Sequence, residues 1–301
     1  MKKFLNYFFA VFVLAACLFV GCKAPSGGGS GSGEGSGSAA YTKVDTQTIG
    51  NTTYDIVTFG SFPQSEKTST VSITSETKIV GSFTYYKGDD NEWYAELNSN
   101  YYKVEPIRWR VLTTDYNGSG KKLLLAENNL INKPYDDDSN SYADSTIRNY
   151  LTGDFLTTAF TQAEQAAIAA TTVLNNARST NPDSNDKQWN NGANPYASDT
   201  PTSDKIFLLS EQEVTKADYG FAAYNVYDTG NTRIRMTTAF AKANGAYRHS
   251  TESSRGYWWL RSPYCNGGSF VARSVHHSGN ADRADNVYVN FIGVVPALCL
   301  K

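Results

Sequence analysis

The chain has 301 residues, a formal net charge of −2 and a pI near 6.0. This balance carries neither the basic footprint of a nucleic-acid binder nor the strong positive charge expected of a protein that binds acidic surfaces. Twenty Tyr, with Asn, Ser, Thr and Gly filling the connections, suit a loop-rich protein; binding loops use the same mixture because Tyr gives contact area at low entropic cost.

Lys2 and Lys3 precede an almost wholly apolar run from Phe4 to Val20, the charged-then-hydrophobic plan of an export signal. Gly21-Cys22 closes the run and Lys23-Ala24-Pro25 follows, which has the form of a lipobox: cleavage removes residues 1–21 and Cys22 takes the lipid. Leu14-Ala15-Ala16-Cys17 is the rival site, but cleavage before Cys22 leaves the more polar mature end. An uncleaved membrane helix is the competing reading, since the stretch is near the lower limit for a span. Residues 26–38 contain only Ser, Gly and Glu34. They cannot bury apolar surface, so residues 22–40 read as a lipidated Cys on a flexible tether with a reach of roughly 20–25 Å. The remainder, 41–301, is long enough for one domain with a well-buried core.

Within that domain, Tyr54 to Phe59 and Trp109 to Leu112 read as strands, and Lys122 to Ala126 as a buried strand. Ser145 is placed to cap a helix running through Leu151, and Thr161 to Ile168 reads as a second helix. Residues 175–204, rich in Asn, Asp, Ser and Pro, read as a long loop. Ser210 with Glu213 has capping-box spacing for a short helix ending near Tyr219-Gly220, and Arg235 to Asn244, closed by Gly245, is the last helix candidate. From Tyr257 onward come short β-like segments, expected to pair with earlier strands. The fold class is α+β, with no internal repeat.

Three segments together carry a resemblance. They are Phe59-Gly-Ser-Phe-Pro-Gln-Ser65 with Ile107 to Leu112; Ser145 to Phe155; and Gly256-Tyr-Trp-Trp-Leu-Arg-Ser-Pro263 with Gly293-Val-Val-Pro-Ala-Leu298. The set resembles a bacterial family of C-type-lectin-like domains of the subtype shared with formylglycine-generating enzymes. With the leader and tether, the chain is similar to the lipid-anchored variable surface proteins of that family. Val295 departs from the pattern, in which many relatives carry Arg. The resemblance implies a C-type lectin fold and display on the outer surface. It also implies a C-terminal variable region, about 258–298, rewritten by a diversity-generating retroelement.

That mutagenesis acts chiefly on AAC codons; randomising the first two bases never yields Lys, Glu, Gln, Met or Trp. These types make up about 13% of the chain, yet none occurs from Leu260 to Leu300, where composition alone would place roughly five. A strand-rich segment also disfavours Lys, Glu and Gln, which is the bland explanation. Apolar, Gly and Pro positions there (Trp258, Trp259, Leu260, Val271, Ala272, Val275, Gly279, Val287, Val289, Gly293, Pro296 and Leu298) read as the frame. A mixed set alternates with them: Tyr264, Asn266, Ser269, Phe270, Ser274, His276, His277, Ser278, Asp282, Arg283, Asp285, Tyr288, Asn290, Phe291 and Ile292. Because successive strand side chains point to opposite faces, the mixed set is expected to form an exposed surface for a protein or other surface ligand. The membrane is reached through the lipid alone, and a monomer is expected.

No constellation for catalysis is legible. His276 and His277 are adjacent and, on a strand, would face opposite ways, while His249 lies in a polar run that reads as a solvated loop. The enzymes of the related subtype use paired cysteines; Cys265 and Cys299 would have to serve, and their spacing requires no disulfide. Asp136-Asp-Asp-Ser-Asn140 opens like a calcium loop, but Ser141 stands where Gly is needed and Ile147 where Glu is needed. The sequence therefore implies no cofactor and no metal. A cysteine-dependent modifying enzyme and an invariant structural surface protein are the alternatives.

Overall fold

The computed structural model describes residues 41–175, 201–223, 231–251, 254–264 and 268–301. The signal segment, Cys17, Cys22, the tether, Cys265 and Asn266 lie outside them, as does most of the stretch expected to loop between 175 and 204. Among the described residues no helix is long and apolar enough to cross a membrane.

Strands β1 (Thr42–Ile49) and β2 (Thr52–Glu66) form a hairpin whose turn uses Gly50 at φ 60°, a conformation cheap only for glycine. A meander of β3 (Ile73–Val80), β4 (Phe83–Gly88) and β5 (Trp93–Leu97) leads into the long strand β6 (Asn100–Thr113) and then β7 (Lys122–Ala126). Leu123 to Ala126 are all buried, so β7 reads as an apolar run without alternation.

Short strands β8 (Asn128–Asn129) and β9 (Ile131–Asn132) precede the helices. Helix α1 (Thr146–Tyr150) starts where Ser145 Oγ accepts from the Arg148 amide, then passes through a π-turn (Leu151–Phe155) into α2 (Leu156–Ala159). Helix α3 (Gln162–Ala167) has the complete capping box of Thr161 and Glu164. Strand β10 (Thr171–Val173) pairs with β11 (Thr202–Asp204), so the expected loop is strand-bound at both ends. Strand β12 (Ile206–Phe207) follows.

Two expected helices are smaller than the pattern suggested. The Ser210–Glu213 box forms, with bonds of 2.7 and 3.2 Å, but it opens two 3₁₀ turns ending at Gly220. Of Arg235 to Asn244, only α4 (Ala239–Ala243) is helical. Met236–Thr237 is instead strand β13, paired with β8, and the Thr238 hydroxyl caps the helix at Ala241. The Arg235 guanidinium holds that extended stretch in place by donating to the carbonyls of Ala126, Thr232 and Ile234.

The chain ends in β14 (Trp258–Pro263), β15 (Val271–Val275), β16 (Arg283–Asn286), β17 (Gly293–Val294) and β18 (Ala297–Leu300). As the sequence implied, these late strands pair with early ones. The larger sheet runs β12-β18-β7-β6-β5-β4-β3, with β2 and β1 added beside β6; the smaller runs β16-β15-β14-β17-β9. Strands outweigh the few short helices, and the domain is α+β. Trp109, Trp258 and Trp259 are fully buried, and each indole N–H donates to a carbonyl, of Phe59, Arg233 and Lys133 respectively.

Candidate binding surface at the C-terminal sheet

The smaller sheet is built on β14, whose six residues are all buried. Trp258 stands opposite Val275 and Trp259 opposite Ser274. Strand β15 is buried from Ala272 to Val275 as well, so the central strands have no free face. The alternation expected from the sequence therefore fails here, since it holds only for a sheet with one side open. Ser274, on β15, is consequently a core residue, and Ile292, in the connection just before β17, is buried as well, so neither belongs to the exposed set. Ser274 Oγ donates to Asp285 Oδ2 at 2.5 Å instead of facing solvent.

Exposure comes from the connections. Phe270 (48%) and Tyr288 (56%) are the most open large side chains of the region; Asp282 and Asn290 are also exposed. Tyr264, Ser269, His276, His277, Ser278, Arg283, Asp285 and Phe291 are half-buried.

What fixes these connections is main-chain bonding from residues outside the segment. The Asn140 amide donates to the carbonyls of Gly268 and Val271 at 3.3 and 2.8 Å, and its backbone N–H to Ser269 at 2.6 Å. The backbone N–H groups of Tyr135 and Asp136 both point to the Val287 carbonyl. Asn132 Nδ2 donates to the Asn290 carbonyl at 2.5 Å, and the Tyr247 N–H to that of Phe291 at 2.8 Å. Arg233 Nε donates to the Gly279 carbonyl at 2.6 Å, and Gly279 sits at φ 83°. Every acceptor is a backbone oxygen, so the bonds do not depend on which side chain the position carries. Asp136 Oδ1 also accepts from the Thr146 N–H, so the acidic turn has a structural task. Among the described residues no group of His, Cys, Asp and Glu is arranged to hold a metal ion.

The three histidines require a correction. His276 and His277 follow β15 and do not lie within a strand, and their ring centroids are 3.9 Å apart. His249, assigned to a solvated loop, stacks on His277 at 4.2 Å. Tyr247 and Tyr257 stack at 4.3 Å, Tyr257 lies 5.0 Å from His276, and Phe291 closes the group at 6.3 Å from Tyr257. The Arg283 guanidinium covers the Tyr257 ring at 4.4 Å and is held by Asp285. Burial, then the neighbouring His277 and Arg283, lower the His276 pKa to about 4, so this imidazole is uncharged near neutrality.

Sequence reasoning found His276, His277, Arg283 and Phe291 but missed Tyr247, Tyr257 and the placement of His249. It also missed the charges beneath the sheet. Arg261 donates to Glu213 at 2.6 Å and to the Leu208 carbonyl, while Tyr116 donates its hydroxyl to the same carboxylate. Arg273 lies 3.4 Å from Glu211 and 2.9 Å from Asp282, with Tyr264 stacked on its guanidinium. A single Arg inside each of the apolar strands Trp-Trp-Leu-Arg-Ser-Pro and Val-Ala-Arg-Ser-Val was the available signal. Val295 is fully buried between β17 and β18. Cys299 is a buried free thiol on β18 whose pKa burial pushes up to about 11, the reverse of an activated nucleophile.

Fold and surface together define an α+β domain with a largely buried C-terminal sheet carrying half-exposed aromatic and charged connections. Residues 119–301 match the family described as a domain of unknown function (DUF6273), and the chain belongs to that family. No curated protein and no solved structure matches it.

Proposed function

We propose that the protein is a lipid-anchored, outward-facing ligand-binding protein whose C-terminal segment is diversified by retroelement mutagenesis. In this reading the fold is C-type-lectin-like, of the formylglycine-generating-enzyme subtype, and the protein is of the kind represented by the treponemal variable surface lipoprotein TvpA. Cys22 carries the lipid and residues 26–38 let the domain reorient above the membrane.

The observation that carries the reading is the backbone bonding of the C-terminal connections. Asn132, Asn140, Tyr247 and Arg233 grip carbonyl oxygens of Asn290, Gly268, Val271, Phe291 and Gly279. A surface gripped this way keeps its shape while its side chains change, which keeps the entropic cost of binding low for each new sequence. The lack of Lys, Glu, Gln, Met and Trp from 260 to 300 supports the same view. The reading assigns no catalytic residue; the buried Cys299 thiol speaks against the cysteine-dependent alternative.

The test is genetic. The DNA flanking the gene should hold a reverse transcriptase and a near-identical template with AAC codons at the mixed positions, and sibling genes should differ almost only between Tyr264 and Ile292. Siblings that differ throughout the domain, with no template, would overturn the proposal. Cys22→Ala should lose fatty-acid labelling and leave the membrane fraction.

A further inference from the structure

The larger sheet ends at β3, which pairs with β4 on one side and with no described strand on the other. Its residues from Thr74 to Ile79 are all exposed, and Ile79, at 81%, is the most open large apolar side chain among the described residues. An open strand edge offers a row of main-chain donors and acceptors to another strand.

The direction of those groups follows from the neighbouring pairings. The Gly88 N–H donates to the Glu92 carbonyl at 2.8 Å, so every second residue of β4 counted back from Gly88 turns its main-chain groups toward β5. Phe83 and Tyr85 therefore turn theirs toward β3, where they stand opposite Val80 and Lys78. The two-residue turn Gly81-Ser82, with Gly81 at φ 57°, closes the same ladder. Thr77 and Ile79 are left with N–H and C=O aimed away from the sheet, and no other described residue bonds to them.

Charge distinguishes this edge from the others. In β1 a bulge separates Lys43 from Asp45, and both charges are already taken, by Asp55 and Arg108. Strand β16 is only four residues long. On β3, Glu76 and Lys78 are opposite charges two residues apart. The Lys78 ammonium lies 4.1 Å from the Trp93 ring centre, and Lys87 crowds the same ring at 4.8 Å. Burial, then the Lys87 charge, lower the Lys78 pKa.

We propose that β3 pairs with β3 of a second copy of this chain, antiparallel about a two-fold axis at Thr77, in place of the monomer expected from the sequence. Thr77 then meets Thr77 of the second copy, and the two exchange their outward N–H and C=O groups. Glu76 stands opposite Lys78 of the second copy, twice over, and brings a carboxylate to the face where two lysines share one indole. Ile79 falls opposite Ser75 of the second copy and loses part of its exposure. Sliding one strand by two residues would set Lys78 against Lys78 or Glu76 against Glu76, so charge selects the register. A contact this short makes a weak, concentration-dependent dimer. It uses no residue of the C-terminal surface and stands independently of the function proposed above.

The test is sedimentation velocity of the chain from residue 23 onward, followed from micromolar to millimolar concentration. A reversible monomer–dimer equilibrium is expected. Thr77→Pro removes an N–H that the fold does not use, so it should keep the circular dichroism spectrum and abolish the dimer. Glu76→Lys and Lys78→Glu should each weaken self-association about tenfold. Mixing these two variants restores both opposite-charge pairs and should restore the dimer. A chain that stays monomeric at millimolar concentration overturns the proposal. So does a dimer that survives Thr77→Pro, or a mixture of the two charge variants that associates no better than either alone.

Discussion

The side-chain amide of Asn140 donates to the backbone carbonyl of Val271 at 2.8 Å, across 131 residues of sequence. Through this bond the acidic turn before α1 holds the chain entering β15, and it does so without touching a side chain of the mixed set. Asn140→Ala removes that donor from both the Gly268 and Val271 carbonyls, of which Val271 keeps the Tyr264 N–H. It should lower unfolding stability by about 1–2 kcal/mol, measured by urea denaturation. Phe270→Ala, at the exposed position just before β15, should stay within about 0.5 kcal/mol of the parent.

The Glu213–Arg261 pair gives a second expectation. Burial alone would raise the Glu213 pKa, but the Arg261 charge and hydrogen bond, with those from Ser210 and Tyr116, outweigh it and bring the net value below 4.5. A depressed carboxylate stabilises the fold above its unfolded pKa and loses that contribution as pH falls through the folded value. Urea midpoints should therefore drop on acidification below about pH 4.5 more steeply in the parent than in Glu213→Gln. At pH 7 the same variant should lose about 3–5 kcal/mol, because Arg261 is left buried without its counter-charge.

His276 titrates in the opposite direction from a paired histidine. Its folded pKa of about 4 lies below the unfolded value of 6.5, so between these limits only the unfolded chain takes up the proton. Stability should fall as pH is lowered through that window, and His276→Asn should flatten the dependence. Ring resonances of His276 followed by NMR should show a midpoint near 4; a midpoint at 6.5 would mean that the imidazole cluster does not form.

Much of this was legible in the sequence, and the losses have physical causes. Ser145 and Thr161 announced their helices because a capping side chain acts within four residues. The frame positions Trp258, Trp259, Ala272 and Val287 were legible as apolar residues in short β-like segments, and all are fully buried. Ser274 was misplaced because two-face burial of a central strand is set by what packs on it, not by its own pattern, and Ile292 because it lies in a buried connection where strand alternation does not apply. Arg235 was read into a helix because its guanidinium bonds to Ala126, 109 residues away, leave no local trace. The stacking of His249 on His277 is hidden for the same reason.

Cys299 offers a simple chemical check. With its thiol buried and its pKa near 11, alkylation by iodoacetamide at pH 8 should be negligible in the folded protein and complete in denaturant. Rapid labelling of folded protein at Cys299 would reopen the cysteine-dependent alternative.

That the C-terminal frame tolerates replacement of its outward side chains is tested most directly by paired libraries. One randomises Tyr264, Ser269, Phe270, His277, Asp282, Tyr288, Asn290 and Phe291; the other randomises Trp258, Trp259, Ala272, Val275, Val287 and Ile292. Protease resistance of the displayed domains is then scored clone by clone. Most clones of the first library should remain folded and almost none of the second. Equal loss of folding in both would contradict a frame that holds its shape independently of its outward side chains.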